Sequence, residues 1–271
     1  MCRWIAYTGP QIPMSLALIE AKHSLLVQSE RSTMGAEPMN GDGFGVGWYS
    51  PHMDTPGVYR DVRPAWNDEN FRDVTAHIRS RMFLAHIRAT TGTAVQRSNC
   101  HPFRHGRWLF QHNGLVPEFH LLRRDLLFEV GENYFDSIQG TTDSEVLFHL
   151  ALTYGLEDDP PAALSQTITT VESHMDRHGI DGELQFSAAV ADGEMIYAVR
   201  YANQGTPRTL FYATDLDVLK ELDPHLEAIP EGSIVVVSEP LGPAMTWEEV
   251  PPGTLIRAGR GGVDVEAFRP G

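Results

Sequence analysis

Apolar positions change rhythm along this chain, and the changes mark out its elements. Residues 2–8 (CRWIAYT) form a short apolar run rich in strand formers, closed by Gly9 and Pro10. Residues 15–29 predict a helix, with Leu16, Ile19 and Leu26 among its apolar positions and Ser15 as its N-cap. Residues 30–43 are polar and glycine-bearing, hence a loop, and the segment expected to close over a bound molecule. Strands are predicted at 44–50 (FGVGWYS), 82–88 and 107–112, and helices at 68–79, 118–128, 143–154 and 160–178. The tail then turns to short strands: ELQFSAAVADG, EMIYAVRY, RTLFYAT and GSIVVVSE. The first two, joined at Asp192-Gly193, have the length and turn of a hairpin. The Gly/Pro clusters near 250–262 predict turns. Strands, then helices, then strands again point to an α+β fold of layered sheets and helices. No linker, repeat or low-complexity tract interrupts the chain, so one domain over residues 2–271 is expected.

Composition narrows the function. The apolar fraction of 42% is ample for a core. No uninterrupted apolar run of about 18 residues occurs, so no transmembrane helix is expected. The N-terminus lacks a signal-peptide pattern. The net charge of −15 argues against nucleic acid or an anionic membrane as partner. Two cysteines, Cys2 and Cys100, are too few for a disulfide framework and fit a reducing, cytoplasmic location. The 12 histidines are scattered with no paired-ligand spacing, so no metal is expected; no cofactor is expected either.

Cys2 stands directly behind the initiator methionine. Removal of Met1 would leave a thiol and a free α-amine on one residue. A thiol attacks as its thiolate, with an ordinary pKa near ~8.5, and an N-terminal amine titrates near ~7.7–8.0. The amine is therefore a suitable base for its own side chain. Retention of Met1 would block that chemistry. Residues 84–92 (LAHIRATTG) end a predicted strand on Arg88, whose planar fork can clamp a carboxylate, although a lone arginine is most often one half of a surface ion pair. Residues 111–114 (QHNG) end another strand. Asn-Gly there is most often a plain turn, but the Asn113 amide and the Gly114 N–H could together form an oxyanion hole. Residues 141–147 (TTDSEVL) look like a helix start, where Asp143 is either the N-cap or a carboxylate free to hold an ammonium group.

The N-terminal cysteine, HIRATTG, NCHPF, HNG and TTDSE, in that order, resemble the class II glutamine amidotransferase domain, a branch of the N-terminal-nucleophile hydrolases. GDGFGVGWY at 41–49 resembles the glycine-rich segment of the stand-alone YafJ and EgtC types, and the tail at 238–253 resembles the end of YafJ-type chains, so the resemblance covers nearly the whole chain. It implies a four-layer αββα sandwich. It also implies Cys2 as nucleophile, Asn113 and Gly114 as oxyanion hole, Arg88 on the substrate α-carboxylate and Asp143 on its α-ammonium. Thr90 or Thr91 would supply a hydroxyl near that carboxylate, with the two left open. His101 would border the pocket, in a largely structural role, and Asp42 and Gly43 would belong to the same wall. His86 and His112 read as packing or hydrogen-bonding groups, and Cys100 as a buried bystander.

The implied chemistry is attack of Cys2 on a γ-glutamyl amide of glutamine or a γ-glutamyl compound, releasing glutamate and ammonia or an amine through a thioester. The small-molecule substrate is then the expected partner. If ammonia is passed on, a separate ammonia-accepting protein joins it. The alternatives are a γ-glutamyl amidase of the ergothioneine pathway and a catalytically idle regulatory subunit.

Overall fold

The computed structural model describes residues 2–34, 39–90, 92–214 and 216–271. Its strands, in chain order, are β1 (Arg3–Pro13), β2 (Phe44–Trp48), β3 (Gly57–Asp61), β4 (Arg79–Ile87), β5 (Phe103–His105), β6 (Trp108–Leu115) and β7 (Gln185–Ala191). They continue with β8 (Met195–Ala202), β9 (Phe211–Ala213), β10 (Ile234–Val237), β11 (Glu248–Glu249), β12 (Thr254–Gly259) and β13 (Gly262–Ala267). The helices are α1 (Leu25–Glu30), α2 (Glu69–His77), α3 (Phe119–Glu129), α4 (Glu132–Phe135), α5 (Asp143–Thr153), α6 (Pro160–His178) and α7 (Asp217–Leu222). One sheet runs β11-β9-β10-β1-β4-β2-β3 and the other β13-β12-β8-β7-β6-β5. Every pairing is antiparallel.

Three apolar layers separate four layers of structure. Alternate residues of a strand point to opposite faces. In β1, Trp4 and Ala6 enter the layer between the sheets, with Leu84, Leu109, Ala189 and Ile256. Their neighbours Ile5 and Tyr7 pack outward against Leu18, Leu25 and Phe71. On the far side, Phe110, Phe186 and Val190 of the second sheet meet Phe148 of α5 and Leu164 of α6. The fold is the four-layer αββα sandwich that the resemblance implies. Burial on both faces is why β1 reads as an unbroken apolar run rather than an alternating one.

Several elements differ from the sequence reading. β1 does not stop at Gly9 and Pro10; a register shift between Thr8 and Ile12 absorbs them and pairing with β4 resumes to Pro13. The helix expected over 15–29 is a π-helical turn, Leu16–Glu20, followed by α1. Ser15 makes no capping bond and instead donates its hydroxyl to Glu20 Oε1 (2.6 Å), while Ser24 caps α1 through Val27 N–H (3.3 Å). The stretch 250–262, expected as turns, contains strand β12, which pairs with β13 as a hairpin. By contrast α2, α3, α5 and α6 lie where the pattern put them, with Asp68 and Asp159 accepting N-cap bonds for α2 and α6. Of the expected loop 30–43, residues 35–38 lie outside the described residues. Beside them, the Thr33 and Met34 N–H groups donate to Glu239 (2.7 and 3.3 Å). Among the described residues no helix is long and apolar enough to cross a membrane.

Candidate active site

Strand register brings the chemistry to one end of the two sheets. β1 and β4 are antiparallel neighbours with Arg3 opposite Ile87, so Cys2 and Arg88 leave the sheet at the same place. The Cys2 thiol approaches the Ala89 carbonyl (3.6 Å). Asn113 and Gly114 lie near the end of β6, opposite Ser187 and Phe186 of β7. Asp143 opens α5. A cavity of about 500 Å3 is lined by Cys2, Arg88, Thr90, His101, Gly114 and Asp143. Asn113 is 5% exposed and neighbours that lining without being part of it. Thr91 lies outside the described residues, as does Met1.

Arg88 is almost fully buried and has hydroxyl and carbonyl partners only. Its Nη1 donates to Asp42 O (3.3 Å) and its Nη2 to Thr90 Oγ1 (3.2 Å) and Thr93 Oγ1 (2.6 Å). No carboxylate lies within ion-pair distance of it among the described residues. A buried cation without a counter-charge is costly, so the site is arranged to accept an anion. The Asp42 carboxylate is occupied elsewhere, accepting Thr90 N–H (2.8 Å). Thr93 escaped the sequence reading, which stopped at Gly92; the hydroxyl run Thr90, Thr91, Thr93 was its signal.

Asp143 is not the N-cap. Thr142 takes that place, its hydroxyl accepting Glu145 N–H (3.2 Å), which frees the neighbouring carboxylate. Asp143 Oδ2 accepts Val116 N–H (3.0 Å) and Oδ1 accepts Ser144 N–H (2.7 Å). These neutral donors fix the carboxylate without cancelling its charge. Ser144 Oγ lies between Asp143 Oδ1 (3.1 Å) and His112 Nδ1 (2.9 Å).

Three histidines back the pocket. His86 stacks on His101 with ring centroids 4.2 Å apart, and His101 in turn meets Phe103 at 4.5 Å. His86 Nε2–H donates to His112 O (3.2 Å), and His112 Nε2–H to Gln185 O (3.1 Å). Both ring nitrogens of His101 are buried without a partner among the described residues. Burial pushes His86 down to about 3, His101 well below the usual histidine range, and His112 down as well, there against the opposing pull of Asp143. All three rings are therefore neutral; His101 and His112 line the pocket, and His86 stacks on His101.

Burial also raises the Cys2 thiol above its ordinary range, outweighing the Ala89 hydrogen bond and the nearby Arg88 and Arg3 charges. Gly114 admits no larger residue: a Cβ there would meet Gln185 O and His112 Nε2 at 2.0 Å. The sequence reading also missed the anchor behind Cys2. Arg3 Nη1 holds the Cys2 carbonyl (2.9 Å), and Arg3 Nε is paired with buried Glu239 (2.5 Å). Burial alone would raise Glu239, but bonds from His23, Thr33 and Arg3 prevail and hold it down at about 2. Cys100 is buried against Asp61 O (3.4 Å), away from the Cys2 cavity lining. Among the described residues no group of three or more His, Cys, Asp or Glu could hold a metal ion.

Residues 19–270 match the family described as class-II glutamine amidotransferases. The chain belongs to that family. A probable glutamine amidotransferase of Saccharomyces cerevisiae, DUG3, is 33% identical over 233 residues, 76% of this class-II amidotransferase and 65% of the yeast protein. This chain thus spans slightly less than two thirds of that relative's length. A gamma-glutamyl-hercynylcysteine sulfoxide hydrolase of Mycobacterium tuberculosis is 27% identical over 272 residues, 99% of this chain and 97% of the other. The solved structure of a glutamine aminotransferase class-II domain protein from Silicibacter pomeroyi superposes with a TM-score of 0.74 at 33% identity, covering 99% of this chain and 100% of that one.

Proposed function

We propose that this class-II amidotransferase hydrolyses γ-glutamyl amide bonds, with Cys2 as nucleophile once Met1 is removed. The observation that carries the reading is the lining of one pocket, where Cys2, the cation Arg88 and the carboxylate Asp143 stand together. An α-amino acid carries one carboxylate and one ammonium, and that pair suits both. Thr90 holds the Arg88 fork from behind, and His101 is a neutral wall.

Because burial keeps the Cys2 thiol protonated, a base is needed, and the freed α-amine is the nearest. It takes the thiol proton, and sulfur attacks the side-chain carbonyl carbon. The carbonyl electron pair moves onto oxygen, toward the Asn113 amide and the Gly114 N–H. When that pair returns, the C–N bond breaks and the leaving nitrogen takes the proton from the α-ammonium. Water then hydrolyses the γ-glutamyl thioester. Gripping the glutamyl unit at both ends makes the attack effectively intramolecular.

Glutamine is the smallest substrate of this form. Leu115, Phe119 and Arg123 also line the pocket, and its volume of about 500 Å3 leaves room for a leaving amine larger than ammonia. The name of the M. tuberculosis relative supports the same choice. On this reading no ammonia-accepting partner protein is required, and a reducing cytoplasm keeps Cys2 a free thiol.

The test is intact-protein mass spectrometry before and after 6-diazo-5-oxo-L-norleucine, a glutamine-shaped electrophile. Loss of Met1 and a single adduct, absent from Cys2→Ala, is the expected result, together with γ-glutamyl hydroxamate formation from hydroxylamine. Retained Met1, or an unmodified Cys2 in folded protein, overturns the reading.

A further inference from the structure

A second cavity, of about 330 Å3, lies beyond the segments that wall the Cys2 pocket and shares no lining residue with it. His101 lines the first and Phe103 the second; Asp143 lines the first and Glu145 the second. Three guanidiniums from separate parts of the chain line this second cavity: Arg60 in β3, Arg97 in a 3-10 turn and Arg104 in β5. Half-buried Arg60 donates its Nη1–H to Cys100 O (3.2 Å), and exposed Arg104 donates its Nη1–H to Pro56 O (2.9 Å). Neither has a carboxylate within ion-pair distance among the described residues. Arg97 reaches Asp61 only at 3.6 Å. The one carboxylate in the lining, Glu145, spends its oxygens on backbone, accepting Gln139 N–H (2.9 Å) and Gly140 N–H (2.6 Å). Burial moreover disfavours its charged form. The lining thus carries three guanidiniums against one carboxylate, in a chain of net charge −15.

We propose that this cavity binds the phosphoryl group of a small phosphorylated metabolite. A carboxylate offers two oxygens in one plane and is satisfied by a single guanidinium fork. A phosphate monoester offers three acceptor oxygens in a tetrahedral array and close to two charges, which suits three guanidiniums arriving from different segments. The volume exceeds a bare phosphate, and Tyr59 and Phe103 provide a less polar wall for the rest of the molecule. A bound anion competes with the Cys100 carbonyl for Arg60, and Cys100 immediately precedes His101 of the catalytic pocket. The site does not depend on the proposed amidase chemistry.

Isothermal titration of the full chain with inorganic phosphate at low ionic strength tests it. Binding is expected to persist in Arg88→Gln, which excludes the Cys2 pocket as the phosphate site. It should weaken by about tenfold or more in Arg60→Gln and in Arg104→Gln, each of which loses a charge-assisted contact. Arg104 is exposed, so that variant stays interpretable if Arg60→Gln fails to fold. Absence of binding at concentrations on the order of 10 mM overturns the proposal. So does binding that survives both arginine substitutions or is lost in Arg88→Gln. Succinate bound as tightly as phosphate would assign the cavity to dicarboxylates and overturn the phosphoryl assignment.

Discussion

His86, His101 and His112 are 0%, 4% and 1% exposed, and burial keeps all three neutral. The consequence is a stability that falls with acid. In the unfolded chain each would titrate near ~6.5, whereas in the fold His86 titrates at about 3 and the other two are also depressed. Below pH ~6.5 the unfolded state binds protons that the folded state refuses, so stability drops by about 1.4 kcal/mol per pH unit for each of His86 and His101, and His112 adds to the drop in the same direction. Glu239 acts in a lower window. Its folded value is depressed to about 2, so its stabilisation is present above the ordinary carboxylate range, ~4.3, and is lost only below it. Urea titrations at pH 7.5 and 5.5 should therefore differ by on the order of 3 kcal/mol, and His86→Asn should remove part of the difference. Equal stabilities at the two pH values would show the rings protonated in the fold. From the sequence, His86 and His112 read as packing or hydrogen-bonding groups. The stacking and orphaned nitrogens were not legible there, because the rings come from three segments that only the fold brings together.

The glycine alternation of β2 has a cause at the level of the element. A Cβ on Gly45 would lie 2.2 Å from His101 O and 2.7 Å from Arg60 Cγ, and one on Gly47 would lie 2.9 Å from Pro102 Cγ. The His101-Pro102 segment rests directly on the strand, and these glycines leave it room. Gly45→Ala must displace backbone rather than a flexible side chain. We expect it to cost about 1–3 kcal/mol, as overpacking does, and to slow labelling of Cys2, since His101 lines that pocket. A thermal melt and an adduct time course check both; an unchanged pair would mean the segment shifts freely. The glycine-rich run was legible in the sequence as a motif, but its reason was not, since the neighbour it accommodates lies some fifty-odd residues away. Elsewhere legibility follows length and burial. α3, α5 and α6 span three turns or more and declare themselves. Three-residue β5 and largely exposed β13 carry no readable period, and Gly/Pro clusters hide β12.

At the scale of the whole molecule, the candidate site hangs from the most deeply buried strands. Cys2 precedes β1, Arg88 follows β4, and Asn113 and Gly114 lie in β6, which pairs with β7. The order of these residues was legible in the sequence; their convergence was not, because it arises from the β1–β4 register and from one sheet stacking on the other. Such strands open only when the molecule unfolds, whereas exposed edges open locally. Hydrogen exchange should accordingly show β1, β4, β6 and β7 protected to the full unfolding free energy. β13, exposed along most of its length, should exchange much faster. Occupying Cys2 with a glutamine-shaped electrophile should then add little protection to β1 and β4, since a site built on strands that are already closed has no ordering left to gain. Exchange of β1 or β4 at the rate of β13, or a large gain of protection there on labelling, would mean that the substrate assembles the site instead of finding it formed.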